Sequence, residues 1–297
     1  MIKISGFSFV RNGIKLGYPV TESIKSILPV CDEFVITVGK GEDNTLEEIQ
    51  AIGDPKVKII ETEWDESMFV KGAINAYQSN IALNECKGDW CFYVQADEVV
   101  HEKYLPGIKE KCERYLNNPE VEGLLFDYLH FWGSFDKYHT SRNWYRAEVR
   151  VVRNNIGVRS FQSAQGFRLD DRKLKVAKAG AYIYHYGWVR PPQTMKKKKI
   201  ALDTLHHDKD WVEMHNPEPD KSFDYGNLRH LATFKDTHPK VMQDFINRTS
   251  KLIPIDKNSK EKHPHDKLAI RILSWIERYI LHYRIGEWKN YVLIKPD

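Results

Sequence analysis

The feature that most limits how this chain can fold is the alternation of short apolar runs with helical patterns through its first 100 residues. Residues 2–10 are apolar and β-branched enough for a strand. Residues 34–38 form a continuous apolar run, as a strand covered on both faces requires. Between them Pro19 can open a helix at its first turn, and Val20, Ile24, Ile27 and Leu28 follow helical spacing. A loop over 39–44 leads to a short helix over 45–52 with Asn44 as its N-cap, and 57–61 is a third strand. Residues 73–86 read as a helix with Ile74, Tyr77 and Ile81 on one face, stopped by Gly88, and 90–94 as a fourth strand. A helix over 102–116 and a strand over 124–131 follow. Repeated βα units predict an α/β fold with a mostly parallel central sheet and helices on both faces. Ligands of such sheets bind outside the carboxyl ends of the strands, which is where Gln95-Ala96-Asp97-Glu98 falls.

From about residue 133 the pattern changes, with Trp144, Tyr145, Arg146, Arg150 and Arg153 crowded together and strands expected at 149–152 and 181–184. After Pro191-Pro192 the chain turns helical and polar; 203–265 read as loops with short helices, and 267–284 as a last helix. Its stripe of Leu268, Ile272, Trp275, Ile276, Tyr279 and Tyr283 is expected to pack on the body of the protein, with dimerisation and membrane contact as alternatives. The division expected is an α/β domain over 1–190 and a mostly helical extension over 191–297 that faces a binding partner or a membrane.

With 297 residues, 41% of them hydrophobic, the chain holds enough apolar material for a full core. No run approaches the ~20 apolar residues that span a bilayer, and Met1-Ile2-Lys3-Ile4-Ser5-Gly6 has no signal-peptide core, so the location expected is cytoplasmic, with peripheral contact on the inner membrane face left open. Cys31, Cys86, Cys91 and Cys112 form no CxxC pair and read as small buried hydrophobes. A net charge of +4 is too mild to indicate nucleic acid, which is not an expected partner. The lysine run at 196–199 either attracts an anionic partner or lies on a solvated helix face. Oligomeric state is not legible.

Asp97 and Glu98 end an apolar strand, which fixes their carboxylates at the sheet edge. Hard divalent cations favour such oxygens, and Mg²⁺ commonly takes one or two carboxylates plus substrate phosphates. Alone, the pair reads equally as an exposed turn or a helix cap. His185 closes the apolar run Ala181-Tyr-Ile-Tyr-His185 and is either a cation ligand or a hydrogen-bonded histidine in an aromatic core. Arg146, Arg150, Arg153 and Arg190 suit bidentate contacts with a diphosphate, and Trp132, Trp144 and Trp188 suit either sugar stacking or core packing.

The stretch 80–98, Asn-Ile-Ala-Leu-Asn-Glu-Cys-Lys-Gly-Asp-Trp-Cys-Phe-Tyr-Val-Gln-Ala-Asp-Glu, resembles the signature of family 2 glycosyltransferases with a GT-A fold: a helix carrying Asn, a Lys/Arg-Gly turn, an aromatic, an apolar strand and Asp-x-Asp. Ser8-Phe9-Val10-Arg11-Asn12 resembles that family's first strand and nucleotide-facing loop, and Glu42-Asp43-Asn44-Thr45 its Asp-x-Thr turn; together the likeness covers residues 1–190. It implies a Rossmann-like GT-A domain that transfers a sugar from a nucleoside-diphosphate sugar to a glycan or lipid-linked acceptor, with Mn²⁺ or Mg²⁺ and by an inverting course, in the manner of cell-surface polysaccharide synthesis. Phe9, Arg11, Asn12, Asp43, Asn80, Gln95 and Ala96 would then meet the nucleotide, and Asp97, helped by Glu98 and His185, the metal. The chain departs from the family at Gln95, where the first acid stands, at Gly39, where an Asp often contacts the base, and at Gln165, near where the catalytic base is expected. Asp170 and Asp171 are the expected base, with Glu148 a poorer alternative. The two glutamines keep a catalytically weak or inactive nucleotide-sugar-binding relative open. A basic scaffold docking on a membrane or nucleic acid is a third reading.

Overall fold

The computed structural model describes residues 2–254 and 259–295. The first 100 residues give β1 (Ile4–Val10), α1 (Val20–Ile27), β2 (Glu33–Gly39), α2 (Thr45–Gln50), β3 (Val57–Thr62), α3 (Ala73–Asn84), β4 (Trp90–Tyr93) and β5 (Glu98–Val100). Then come α4 (Leu105–Arg114), β6 (Gly123–Trp132), β7 (Lys137–Tyr138), β8 (Ala147–Arg153), β9 (Arg159–Phe161), β10 (Gly166–Leu169) and β11 (Arg172–Trp188). The remainder holds α5 (Pro192–His206), α6 (Lys209–His215), β12 (Ala232–Thr233), α7 (Gln243–Thr249), α8 (Leu268–Ile276) and β13 (Tyr291–Leu293).

The sheet runs β3-β2-β1-β4-β8-β6-β11-β10-β9. Its first four strands are parallel. Beyond β4 the directions mix: β8 is antiparallel to both its neighbours, and β6 and β11 are again parallel. The period of 2 in the strands divides the core into two faces. Ile4, Phe34, Ile36, Trp90 and Phe92 face one side, closed by Ile24 and Ile27 of α1 and Ile108 of α4. Phe7, Val35, Cys91 and Tyr93 face the other, closed by Ala82 and Leu83 of α3. All four cysteines are buried and unpaired, as their spacing implied.

β11 is much longer than the strand expected at 181–184 and carries an irregularity between Lys178 and Tyr182, where Gly180 takes φ +67°. Past that bend it pairs with both β6 and β5, setting His185 opposite His130 on one side and Glu98 on the other. Phe131, Trp132, Tyr184 and Tyr186 of β6 and β11 pack with Tyr225, Leu228, Met242 and Phe245 in a third core, which attaches the C-terminal stretch to the sheet. β13 returns to pair with β11.

The last helix differs from the expectation. α8 ends at Ile276 and gives way to a π-helical turn over Glu277–Leu281. Its apolar stripe does not pack on the body: Leu268, Ile272, Trp275 and Tyr279 are exposed, while the side that faces the protein carries Glu277, 2% exposed. No helix among the described residues is long and apolar enough to cross a membrane.

Candidate active site

At the carboxyl end of the parallel strands a cavity of about 450 Å³ opens between β1, the turn after β4, the end of β11 and α5. β4 ends at Tyr93, and a turn through Ala96 and Asp97 carries the chain into β5. Asp97 lies in the turn and Glu98 is the first residue of β5, and the two side chains meet different surroundings. The Asp97 side chain lines the cavity. Glu98 is fully buried: Arg150 Nε and Nη2 donate to its two oxygens at 2.8 Å each, Tyr128 Oη donates at 2.7 Å, and the Gln95 amide at 3.1 Å. A carboxylate so saturated has no lone pair left for a cation, which corrects the expectation that Glu98 helps hold a metal. Arg150 touches the cavity wall, but its guanidinium is committed to Glu98.

The partner of Asp97 comes from a distant part of the sequence. Lys198 of α5, 4% exposed, donates from Nζ to Asp97 Oδ2 at 2.8 Å and to the Gly187 carbonyl at 2.6 Å. Met195, Lys198, Leu202 and Leu205 share one face of α5 at helical spacing, so one member of the lysine run turns inward while the run as a whole stays on the helix surface. Burial pulls the Lys198 ammonium down to about 8, with Arg190 adding to the effect and Asp97 opposing it. Burial alone would raise the Asp97 carboxyl, but the cations beside it, Lys198 foremost and then Arg190, outweigh it and hold Asp97 well below the usual carboxylate range.

His185 Nε2 lies 3.7 Å from Asp97 Oδ1. The hydrogen bonds behind it fix its tautomer. His130 Nε2 sits 2.8 Å from the Tyr145 carbonyl, which can only accept, so that nitrogen carries the proton. Burial, reinforced by His185, depresses His130 far below the normal histidine range, so it is neutral and its Nδ1 is an acceptor. The 2.9 Å contact between the two Nδ1 atoms is then a bond donated by His185. Burial also lowers His185, which leaves a neutral ring with its Nε2 lone pair turned toward Asp97. Gly187 keeps the space between them clear: a Cβ there would lie 2.4 Å from His185 Nε2 and 3.0 Å from Asp97 Oδ2. A carboxylate oxygen and an imidazole lone pair facing one open space fit a divalent cation. Among the described residues no group of three or more His, Cys, Asp or Glu is arranged to hold a metal, so phosphate oxygens of a ligand would supply the remaining positions.

Of the other residues singled out by sequence, Phe9, Arg11, Asn12, Gln95 and Ala96 line the cavity, as do Trp144, Trp188 and Gln165. Asp43 does not: its carboxylate accepts from the Lys15 amide, the Thr45 amide and the Thr45 hydroxyl, and so caps the start of α2. Asn80 does not either: its amide group exchanges two bonds with the backbone of Ser160 and clamps β9 to α3. Asp170 and Asp171 form the two-residue turn between β10 and β11, with φ of 49° and 62°. Such a hairpin needs positive φ at both centres, which Asp tolerates, and both side chains are exposed away from the cavity. Glu148 is buried, does not line the cavity and accepts from Asn290 Nδ2 at 3.4 Å. Trp132 is a core residue. Arg190 is buried, donating to the Leu16 and Tyr186 carbonyls, and Arg153 donates to the carbonyls of residues 115, 116, 118 and 121.

Among the cavity residues that the sequence did not single out are Lys198, Trp64 and His206. Lys198 was legible only as one of four lysines. Trp64 lies against the end of β2 because residue 39 is glycine; a Cβ there would come within 2.2 Å of Trp64 Nε1. Arg11 lies over its ring, and the buried Nε1 has no hydrogen-bond partner among the described residues. His206, at the end of α5, lies 3.4 Å from Ser163 Oγ, and burial with His207 beside it lowers its pKa.

No family model matches the chain, and no curated protein matches it. Among solved structures it is similar to S. aureus TarS 1-349, at 14% identity over 71% of this chain and 68% of that one, with a TM-score of 0.41. It is also similar to the Pyrobaculum calidifontis mannosyltransferase PcManGT in complex with GDP-Man and Mn²⁺, at 18% identity over 41% of this chain and 34% of that one, with a TM-score of 0.32. A third likeness is to glucosyl-3-phosphoglycerate synthase from Mycobacterium tuberculosis in complex with Mn²⁺, UDP and phosphoglyceric acid, at 17% identity over 43% of each chain, with a TM-score of 0.30.

Proposed function

We propose that this protein is a glycosyltransferase that binds a nucleoside-diphosphate sugar in the sheet-edge cavity and transfers the sugar to a glycan or lipid-linked acceptor. One observation carries the reading: Asp97 Oδ1 and the unprotonated Nε2 of His185 flank a single open space in a cavity that also presents a buried lysine. That set suits a diphosphate with its cation better than a neutral metabolite. Asp97 and His185 hold the ion, and His130 holds His185 in the tautomer that can ligate. A divalent ion there would neutralise the charge that grows on the departing diphosphate. Lys198 adds a fixed positive charge beside the same oxygens.

Phe9, Trp64 and Phe69 give the other end of the cavity an aromatic wall suited to a planar base. Trp64 Nε1, buried and without a hydrogen-bond partner among the described residues, is suited to donate to a base carbonyl that enters this end of the cavity. Gln95 is suited to bond a sugar hydroxyl without adding charge. Among the described residues no carboxylate other than Asp97 lines the cavity, so proton acceptance from the acceptor hydroxyl falls to His206, a neutral imidazole. The same shortage favours a second reading, a nucleotide-sugar binder that transfers poorly or not at all.

A thermal-shift screen of UDP- and GDP-sugars with and without Mn²⁺ tests donor binding. Stabilisation by one donor class, lost in Asp97→Asn, is expected; no stabilisation by any nucleotide sugar overturns the proposal. Mn²⁺-dependent donor hydrolysis then separates the enzyme from the binder.

A further inference from the structure

Most of the large apolar side chains exposed among the described residues fall between residues 268 and 293. Leu268, Ile272, Trp275 and Tyr279 form one stripe of α8 and its π-helical continuation, 51–67% exposed. The helix is pinned with this stripe outward. On its inner side Ser274 Oγ accepts from the Arg142 amide, and Glu277 Oε1 accepts from the Ile285 amide and lies 3.5 Å from Arg142 Nη2. Tyr283, Ile285 and Trp288 extend the exposed apolar surface past the helix. The stripe also forms one wall of a groove of about 470 Å³, whose other wall includes His139, Leu231, Ala232 and His265.

The exposed charge on the helix beside the stripe is cationic, and the one acid lining the groove among the described residues, Asp266, is largely covered and accepts from the His263 amide. Lys267, Arg271 and Arg278 flank the stripe, and the one acid of α8 and its continuation, Glu277, is turned inward and buried. Tryptophan and tyrosine on an apolar face edged by lysine and arginine is the composition of a helix lying in a bilayer interface. Cations at that edge favour anionic lipid. A second copy is a poorer occupant, because a twofold contact on this stripe would bring Arg271 and Arg278 toward the same residues of the other copy.

We propose that this face seats the protein on an anionic lipid bilayer, with Leu268, Ile272, Trp275 and Tyr279 at headgroup depth and Arg271 and Arg278 on lipid phosphates. The surface does not involve the donor cavity, so its test and that of the donor reading fail separately.

The full chain is sedimented with vesicles of phosphatidylcholine alone and of phosphatidylcholine mixed with phosphatidylglycerol. Roughly tenfold or stronger binding to the anionic vesicles is expected, falling as salt rises. Ile272→Ser with Trp275→Ser should abolish binding, and Arg271→Glu with Arg278→Glu should remove the preference for anionic lipid. Far-UV circular dichroism and melting temperature verify that each variant is folded, and Trp275→Phe should remove a blue shift in emission on binding. Binding that is absent, or unchanged in the folded variants, overturns the proposal. So does a concentration-dependent dimer in light scattering that the Ile272→Ser, Trp275→Ser variant dissolves, which would give the face to a second copy.

Discussion

Two of the molecule's concavities have nearly equal volume, about 450 Å³ at the sheet edge and about 470 Å³ beside α8, and they are built on opposite principles. In the first the buried charges are paired: Asp97 with Lys198, and Glu98 with Arg150 behind it. In the second the cations stand in solvent and the apolar groups are exposed. Buried charges hold position because removing a partner leaves the other uncompensated, so the first suits a small, highly charged ligand held in one pose. Exposed cations on an apolar stripe fix no pose, and the second suits a surface.

The largest effect should come from breaking the buried pair. Asp97→Asn is expected to abolish donor-induced stabilisation and to cost about 3–5 kcal/mol of folding stability, because Lys198 loses its counter-charge; denaturant melts and donor titrations measure both. Vesicle binding by the same variant should be unchanged, and a loss of both would show that the two regions are not independent.

Glu148 lines neither cavity but is tied to Asn290 of the C-terminal stretch. Burial, partly opposed by Arg150, raises its carboxyl from 4.5 to about 7. Its folded value lies above its unfolded one, so the native state binds the proton more tightly and stability falls as pH rises through that window. Glu148→Gln should therefore stabilise the protein at pH 8 by up to about 3 kcal/mol and have little effect below pH 4.5, as read from denaturant midpoints across pH. A pH-independent change would show that this carboxyl is not held protonated.

A smaller effect is expected from the support behind His185. His130→Phe removes the acceptor that fixes its tautomer and should weaken Mn²⁺ binding about 10–100-fold in electron paramagnetic titrations. Unchanged affinity would mean that the histidine pair serves only the core. The smallest change should follow Trp64→Phe, which keeps the aromatic wall but removes the free Nε1 donor: donor affinity should drop by about 0.5–1.5 kcal/mol in calorimetry. If it does not, the base does not use that bond.

Much of the fold was legible because β1 to β4 obey local rules. Fully covered strands read as apolar runs, α1 shows its periodicity, and the acidic turn follows β4 where chain order alone puts it at the sheet edge; α3 departs from its expected face, since Tyr77 is exposed while Asn75, Gln78, Ser79 and Ala82 are buried. Asp97 and His185 stand out as candidates by their place at strand ends, and Phe9 and Asn12 through the resemblance to family 2 glycosyltransferases. The misplaced residues share a cause. Asp43, Asn80, Asp170, Asp171 and Glu98 are polar residues whose hydrogen-bonding capacity is spent on caps, clamps, a hairpin turn and an ion pair, and a sequence records the capacity without the partner.

What the sequence determined by itself is the alternation of strand and helix, the two-faced core and a carboxylate at the edge of the sheet, because each follows from residues close together in the chain. Tertiary structure alone decided that the counter-charge of Asp97 is Lys198, 101 positions away, that His185 presents an unprotonated nitrogen, and that the stripe of α8 faces solvent. These depend on which surfaces meet, on burial that shifts protonation, and on hydrogen bonds between remote segments. None of them leaves a local pattern in the chain.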